Sequence, residues 1–462
     1  MIALFASPRV RRTLLLLSAV ALALGLLMTR VSGQQAPPAA TPPQQPSEIE
    51  LRITGDPGTP PRYAVPDFVA LTPDAAEAAR TGGQVLWNDL NFEREFYMIP
   101  RDTYGSVRTA SAPEQIDFDG WRELGADAVV FGTVRRSGNT YTAQIRLFNV
   151  RSRQMVFGKE YSGSSVRLIA HTVSDEIHLQ QRGLRGVART KLAFSSDRNR
   201  ERIAGPVQNR DVKEIYIADY DGDAQRRITT NRQLNITPAW SPDARAIAYT
   251  SYRRGYPDIF VALIYEGVQQ EPTRGVGQNF LPVWSPDGTR IAFTTNRDGN
   301  PEIYVMNRDG SGLRRITNNP AIDVTPTWSP TGTQIAFTSD RTGTPQIYIV
   351  GADGLNLRRL TTAESYADRP TWSPAPFNEV AFAARTGPGF DIKVYDLASG
   401  QTRQITFGEG TNESPAFSPN GRHLAFTSTR AGRVQVFTIG RDGRNPRQIT
   451  RDGNNYTPSW SN

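Results

Sequence analysis

The sequence predicts a mixed architecture: a small α/β domain, then an all-β six-bladed β-propeller closed by its own C-terminal strand. Three observations predict it. The phrase P-x-W-S-P-D-G-x-x-I-A-F, complete at 282–293, recurs with its aromatic at Trp240, Trp284, Trp328, Trp372, Phe417 and Trp460, at steps of 44, 44, 44, 45 and 43 residues. A fixed period in this range marks a repeat architecture. The aliphatic-Ala-aromatic triplet ends six times, at Phe194, Tyr249, Phe293, Phe337, Phe382 and Phe426. Finally, the two series are offset: Leu192-Ala193-Phe194 lacks a preceding Trp-Ser-Pro, and the copy at Trp460-Ser461 has no triplet after it.

One repeat, 280–317, explains the blade. Pro282-Val283-Trp284 reads as a short strand, and Ser285-Pro286-Asp287-Gly288 as a tight turn in which Pro presets φ and Gly accepts the positive φ. Strands follow at 291–295, 302–307 and 314–317, separated by a loop at 296–300 and the turn signal Asp309-Gly310. Four strands without a helix make one antiparallel sheet, which must stack on copies to cover both faces. The offset predicts that the C-terminal strand completes blade one as its innermost strand, leaving no open edge. Blade one departs from the pattern: Phe194 to Ile215 is 21 residues, against 10 from Phe293 to Ile303, and the excess falls within 199–213.

From the N-terminus, Arg9, Arg11 and Arg12 precede an apolar run at 14–28, and Val31-Ser32-Gly33 offers small residues for cleavage. This reads as a secretory signal peptide over 1–33; the 15-residue run is short for a membrane span. Arg11-Arg12 leaves general and twin-arginine export both open. Removing the four arginines of 1–33 lowers the net charge from +8 to near +4, which is mild and not a nucleic-acid signature. Residues 34–48, rich in Pro and Gln, read as a flexible linker. The α/β domain spans 49–185. It should contain strands at 63–71, 95–99, 128–134, 141–150 and 155–161, and helices over 73–90, with Ala76, Ala79 and Leu86 on the apolar face, 119–124 and 165–180. In the last helix Val166, Ile169, Val173 and Ile177 share one face. The propeller spans 186–462.

There is no cysteine and no G-x-S-x-G elbow. Of the three histidines, His171 and His178 could share a helix face, but two histidines do not fill a zinc site, so packing roles are expected. The Asp-Gly pairs at Asp221, Asp309, Asp353 and Asp442 recur at blade period as turns, not as paired catalytic carboxylates. The expectation is a protein that is not an enzyme and needs neither cofactor nor metal.

Several phrases are more specific than the repeat: Ala64-Val65-Pro66-Asp67-Phe68; Trp121-Arg122-Glu123-Leu124-Gly125-Ala126-Asp127; Ala170-His171 followed by Ser174-Asp175 and Ile177; and Ile217-Ala218-Asp219-Tyr220-Asp221-Gly222. With them, residues 49–462 resemble the TolB family of the Tol-Pal system. The resemblance implies a periplasmic, non-enzymatic adaptor. It would bind the peptidoglycan-associated lipoprotein Pal through the propeller and TolA through its mature N-terminus, alongside other Tol-Pal components, and support outer-membrane integrity and invagination during division. A carbohydrate- or peptide-binding propeller of the envelope is the alternative.

In the family, Pal contacts lie in the loops before each P-x-W, and here those segments differ from blade to blade. By position the candidates are Asn235, Ile236 and Thr237; Gln278, Asn279, Phe280 and Leu281; and Asp323, Val324 and Thr325. Variation on a constant scaffold is how a rigid ring acquires a specific surface. An arginine also follows every triplet, at Arg198, Arg253, Arg297, Arg341, Arg385 and Arg430. It either forms a basic rim for an acidic partner or bonds turn carbonyls and the neighbouring blade, and six equal copies favour the second.

Overall fold

The computed structural model describes residues 59–202, 211–273 and 275–462; the expected signal peptide and linker lie outside them. The first domain runs β1 (Arg62–Ala64), β2 (Val69–Ala70), α1 (Ala76–Glu93), β3 (Tyr97–Met98), α2 (Phe118–Glu123), β4 (Ala128–Ser137), β5 (Thr140–Asn149), β6 (Met155–Gly163) and α3 (Val166–Arg182). Its sheet has the order β3-β1-β4-β5-β6, with β2 also on β4; β1 is parallel to its neighbours and β4 to β6 form an antiparallel meander.

The expected strand at 63–71 is two short pieces, because the chain breaks at Pro66-Asp67. Proline cannot donate to a ladder. The expected strand at 95–99 shrinks to two residues. Ala76 is exposed; the buried stripe of α1 runs instead through Ala78, Ala79, Val85, Leu86 and Leu90. Gly83 lies so close to the break that a Cβ would stand 2.6 Å from the Pro66 carbonyl oxygen, so only glycine lets α1 seat there. In α3, Val166, Ile169, Val173 and Ile177 are all buried against the sheet. Ser165 accepts a bond from Leu168 N at its start, and Gly183 closes its end at φ +66°.

The remainder is six four-stranded antiparallel sheets. In blade three the strands are Asn279–Trp284, Arg290–Thr295, Glu302–Asn307 and Arg314–Arg315, from the channel outward. The Ser-Pro-Asp-Gly turn closes with Gly288 N donating to Ser285 O at 2.9 Å. The Asp-Gly glycines 222, 310, 354 and 443 all adopt positive φ, as turns require. Each repeat aromatic enters the blade before its own: Trp284 packs on Ala248, Ile259 and Val261 of blade two, and Trp328 on Ile303 and Val305 of blade three. A ring burying 150–250 Å² is worth roughly 4–6 kcal/mol, so the aromatics staple the ring.

The ring closes as expected. Asn455–Trp460 is antiparallel to Lys191–Ser196, inside Glu214–Asp219 and Arg226–Arg227. Trp460 Nε1 donates to Thr190 Oγ1 at 2.7 Å and Lys191 N to Ser461 Oγ at 2.9 Å. The first domain docks on blades six and one through the C-terminal turn of α1. Tyr220 Oη donates to Asp89 at 2.6 Å, Asn420 Nδ2 donates to Glu93 at 3.2 Å, and Phe92 stacks on His423 at 4.3 Å. Arg94 pairs with Asp442, and Arg422 with Glu95. These contacts all fall at the end of the ring that carries the Ser-Pro-Asp-Gly turns.

Candidate partner-binding site

The opposite mouth of the channel is built by the six innermost strands. Each begins with a buried residue, continues with a half-buried one, and then reaches the residue before proline. That third residue has a left-handed backbone in every blade: Thr237, Leu281, Thr325, Arg369, Ser414 and Thr457 lie at φ between +47° and +59°. Pairing with the second strand shifts register at the same place, for example between Phe280 and Val283. Such a backbone costs a non-glycine residue about 1–2 kcal/mol. The neighbouring blade supports it: Leu281 N donates to Thr250 Oγ1 at 3.1 Å and Arg369 N to Thr338 Oγ1 at 3.2 Å. The bulge turns these six side chains and their prolines onto an opening of about 130 Å³.

This corrects the expected loops, since most candidates lie in strands. It also removes three from the surface. Asn235, Asn279 and Asp323 have no solvent exposure. Asn235 Nδ2 donates to Glu214 at 2.9 Å, Asn279 Nδ2 to Asp258 at 3.1 Å, and Asp323 accepts from Arg341 at 2.8 Å. The first position of the strand points into the blade because strand side chains alternate. Ile236, Phe280 and Val324 are half-buried at the second position, Thr237, Leu281 and Thr325 line the opening, and Gln278 is exposed beside it.

The mouth is uneven. Blades two to four present Ile236, Phe280, Leu281 and Val324. Blades five and six present Asp368, Arg369 and Glu413. Burial pushes the Glu413 carboxyl up, with Arg369 opposing and Asp368 reinforcing the shift. In blade one the Lys213 ammonium lies 3.6 Å from the centre of the Tyr456 ring, and burial lowers its proton affinity. Sequence reasoning missed three exposed apolar residues in loops leading into the innermost strands: Val276 (56 % exposed), Ile322 (47 %) and Phe407 (71 %). Their signal was a lone apolar residue in a turn-rich stretch, as in Gly275-Val276-Gly277. The blade-one insertion leaves the same end as a hairpin base, with Arg202 bridged to Asp211 and Val212 N donating to Glu201 O.

The repeated arginines are packed within their own blades. Each guanidinium stands over the aromatic ring of the third strand: Arg198 over Tyr216 at 4.4 Å, Arg253 over Phe260 at 5.9 Å, Arg297 over Tyr304 at 5.5 Å, Arg341 over Tyr348 at 4.8 Å, Arg385 over Phe390 at 5.3 Å and Arg430 over Phe437 at 5.1 Å. Arg198, Arg341 and Arg430 also donate to the first residue of an innermost strand, Asn455, Asp323 and Asn412. Arg385 lies in the strand Glu379–Thr386 and not in a loop. Of the six, only Arg253 and Arg385 are exposed.

Comparison with known proteins places this geometry. The profile of the TolB beta propeller domain matches residues 180–462, and that of the TolB amino-terminal domain matches 49–156. Among curated relatives, the Tol-Pal system protein TolB of Desulfosudis oleivorans is 36% identical over 209 residues, 44% of this chain and 45% of that protein. Its counterpart from Ruegeria sp. is 32% identical over 220 residues, 47% and 48% of the two chains. The chain thus spans about half the length of the curated relatives it matches. The crystal structure of TolB from Acinetobacter baumannii superposes with a TM-score of 0.74 at 27% identity, covering 87% of this chain and 97% of that one. With both halves of the chain matched, the propeller over its whole length, the protein belongs to the TolB family.

Proposed function

We propose that the chain is a periplasmic adaptor of the Tol-Pal system that takes the lipoprotein Pal at the mouth formed by the pre-proline residues and TolA at its mature N-terminus. In that role it supports outer-membrane integrity and invagination during division. One observation carries the reading: at the mouth away from the first domain Leu281 lines the opening, Ile236, Phe280 and Val324 stand half-buried at the second position of their innermost strands, and Val276, Ile322 and Phe407 are exposed in loops leading into innermost strands. Exposed apolar clusters rimmed by polar groups mark interaction sites, and the strained backbone holds this one rigidly, so little entropy is lost on binding. The naming of the relatives as Tol-Pal system proteins supports the choice of partner. No helix among the described residues is long and apolar enough to cross a membrane. The arrangement offers contact area and not a nucleophile with a base, so binding is the activity expected of it.

Capture from envelope extracts tests the reading. The mature protein should retain a Pal-type lipoprotein, Leu281→Arg should not, and a chain lacking 34–48 should retain Pal while losing TolA. Equal capture by Leu281→Arg and the wild type would move the interface off this mouth.

A further inference from the structure

We propose that the junction between the first domain and blade six contains a binding site for a phosphate-class oxyanion, held by Arg94, Arg444 and Arg447 with the amides of Asn91 and Asn445. These five residues line one cavity of about 280 Å³, several times the roughly 30 Å³ share of a water molecule. Both domains supply it. Asn91 and Phe92 lie in the last turn of α1, and Arg94 follows at φ +60°, a left-handed backbone more often given to glycine. Arg444 and Asn445 lie in the hairpin between Gln435–Gly440 and Arg447–Gln448 of blade six, and Arg447 opens the outer strand. Asn445 sits at φ +55°, which asparagine tolerates.

The donors of this cavity are spare. Among the described residues, Arg447 has no ion-pair or side-chain hydrogen-bond partner; its guanidinium stands 5.3 Å from the centre of the Phe92 ring. Asn91 and Asn445 make no side-chain hydrogen bond there either. The Arg444 side chain is 79% exposed and reaches Asp442 only at 4.0 Å. Arg94 alone is firmly paired, with Asp442. No carboxylate lines the cavity: Glu93 instead accepts from Val187 N at 2.8 Å and from Asn420 Nδ2 at 3.2 Å. Three guanidiniums against the one carboxylate of Asp442 leave an excess of two positive charges. The carbonyl end of α1 opposes an anion, but it amounts to roughly half a charge. Of the four outer Asp-Gly hairpins, those of blades one, three and four continue with Asp223, Ser311 and Leu355; only blade six, where the first domain docks, continues with arginine. Planar guanidiniums take phosphate oxygens in pairs. Five donor groups around one cavity exceed what the two oxygens of a carboxylate accept and suit the oxygens of a phosphate. The bound oxyanion would tie the end of α1 to blade six, at the end of the ring opposite the proposed Pal mouth, so either proposal can fail without the other.

Calorimetry with sodium phosphate on the mature protein, at an ionic strength held constant with sodium chloride, tests the site. One phosphate per chain should bind, and thermal unfolding should move upward with phosphate and not with chloride. Arg444→Gln and Arg447→Gln should each weaken binding about ten-fold. Arg358→Gln, at the position of blade four equivalent to Arg447, should leave it unchanged. The exposed Arg444 keeps the test decisive if Arg447→Gln misfolds. Sedimentation with phosphatidylcholine vesicles containing phosphatidic acid identifies the source: vesicle binding lost in the same two variants makes the ligand a lipid phosphate, and binding of inorganic phosphate alone makes it the free anion. A wild type that binds neither saturably, displacement of phosphate by equimolar sodium acetate, or wild-type affinity in folded Arg444→Gln and Arg447→Gln proteins would overturn the proposal.

Discussion

Arg341 carries two interactions at once: its guanidinium lies over Tyr348 and donates twice to the buried carboxylate of Asp323. Removing one partner of a buried pair strands the other. Arg341→Ala is therefore expected to lower unfolding free energy in urea by about 3–5 kcal/mol. Asp323→Asn in the same chain should recover much of it, because Asn occupies the equivalent position at Asn235, Asn279, Asn412 and Asn455. A double variant as unstable as Arg341→Ala alone would contradict this account. Leu281 poses the converse case, a strained backbone with a half-buried side chain. Leu281→Gly should change stability by no more than about 1 kcal/mol, while removing affinity for the partner. The periodic arginine was legible in sequence, and so was the balance of its two readings. Its partners were not, because the ring beneath it comes from the third strand and the acceptor from the innermost one.

Among elements, the join between blades five and six turns on Glu379 at the start of Glu379–Thr386. It accepts from Arg403 of its own blade at 2.7 Å and from Arg441 of the next at 2.6 Å. Burial would raise its carboxyl, but the two arginines outweigh burial and hold it below the ordinary value. A carboxyl depressed in the folded state contributes stability that is present above its unfolded pKa, about 4.3, and is lost as pH falls through the folded value. Glu379→Gln should be less stable than the wild type at neutral pH, and the gap should close as the solution is acidified; a constant gap across the acid limb of the stability curve would rule this out. Blade strands were legible because a two-residue alternation and fixed turns repeat six times. The breaks were less so: Pro66 splits one expected strand in the first domain, and the bulge ahead of each P-x-W converts expected loops into strand. A residue before proline is expected to be extended, so a left-handed one supported by a threonine of the preceding blade leaves little trace in sequence.

For the whole molecule, closure and docking are the controlling facts. Deleting 456–462 would remove Trp460 from its seat on Ala425, Val436 and Ile449 of blade six and open two sheet edges. We expect that protein to aggregate or to lose its cooperative thermal transition; an unchanged melting temperature would contradict the closure. The ring was legible because its ends are offset by one strand. The docking of the first domain was not, because it depends on single long-range contacts such as Glu93 with His423, 330 residues apart, which no repeat announces. The central claim is that the pre-proline mouth is where this ring meets its partner. Titration calorimetry of the wild type, Leu281→Arg and Val324→Arg against the cognate Pal lipoprotein, with thermal unfolding run beside it, tests that most directly. Losing a buried apolar anchor costs ~2 kcal/mol or more, so both variants should lose measurable binding while keeping the wild-type unfolding transition; wild-type affinity in both would place the interface elsewhere.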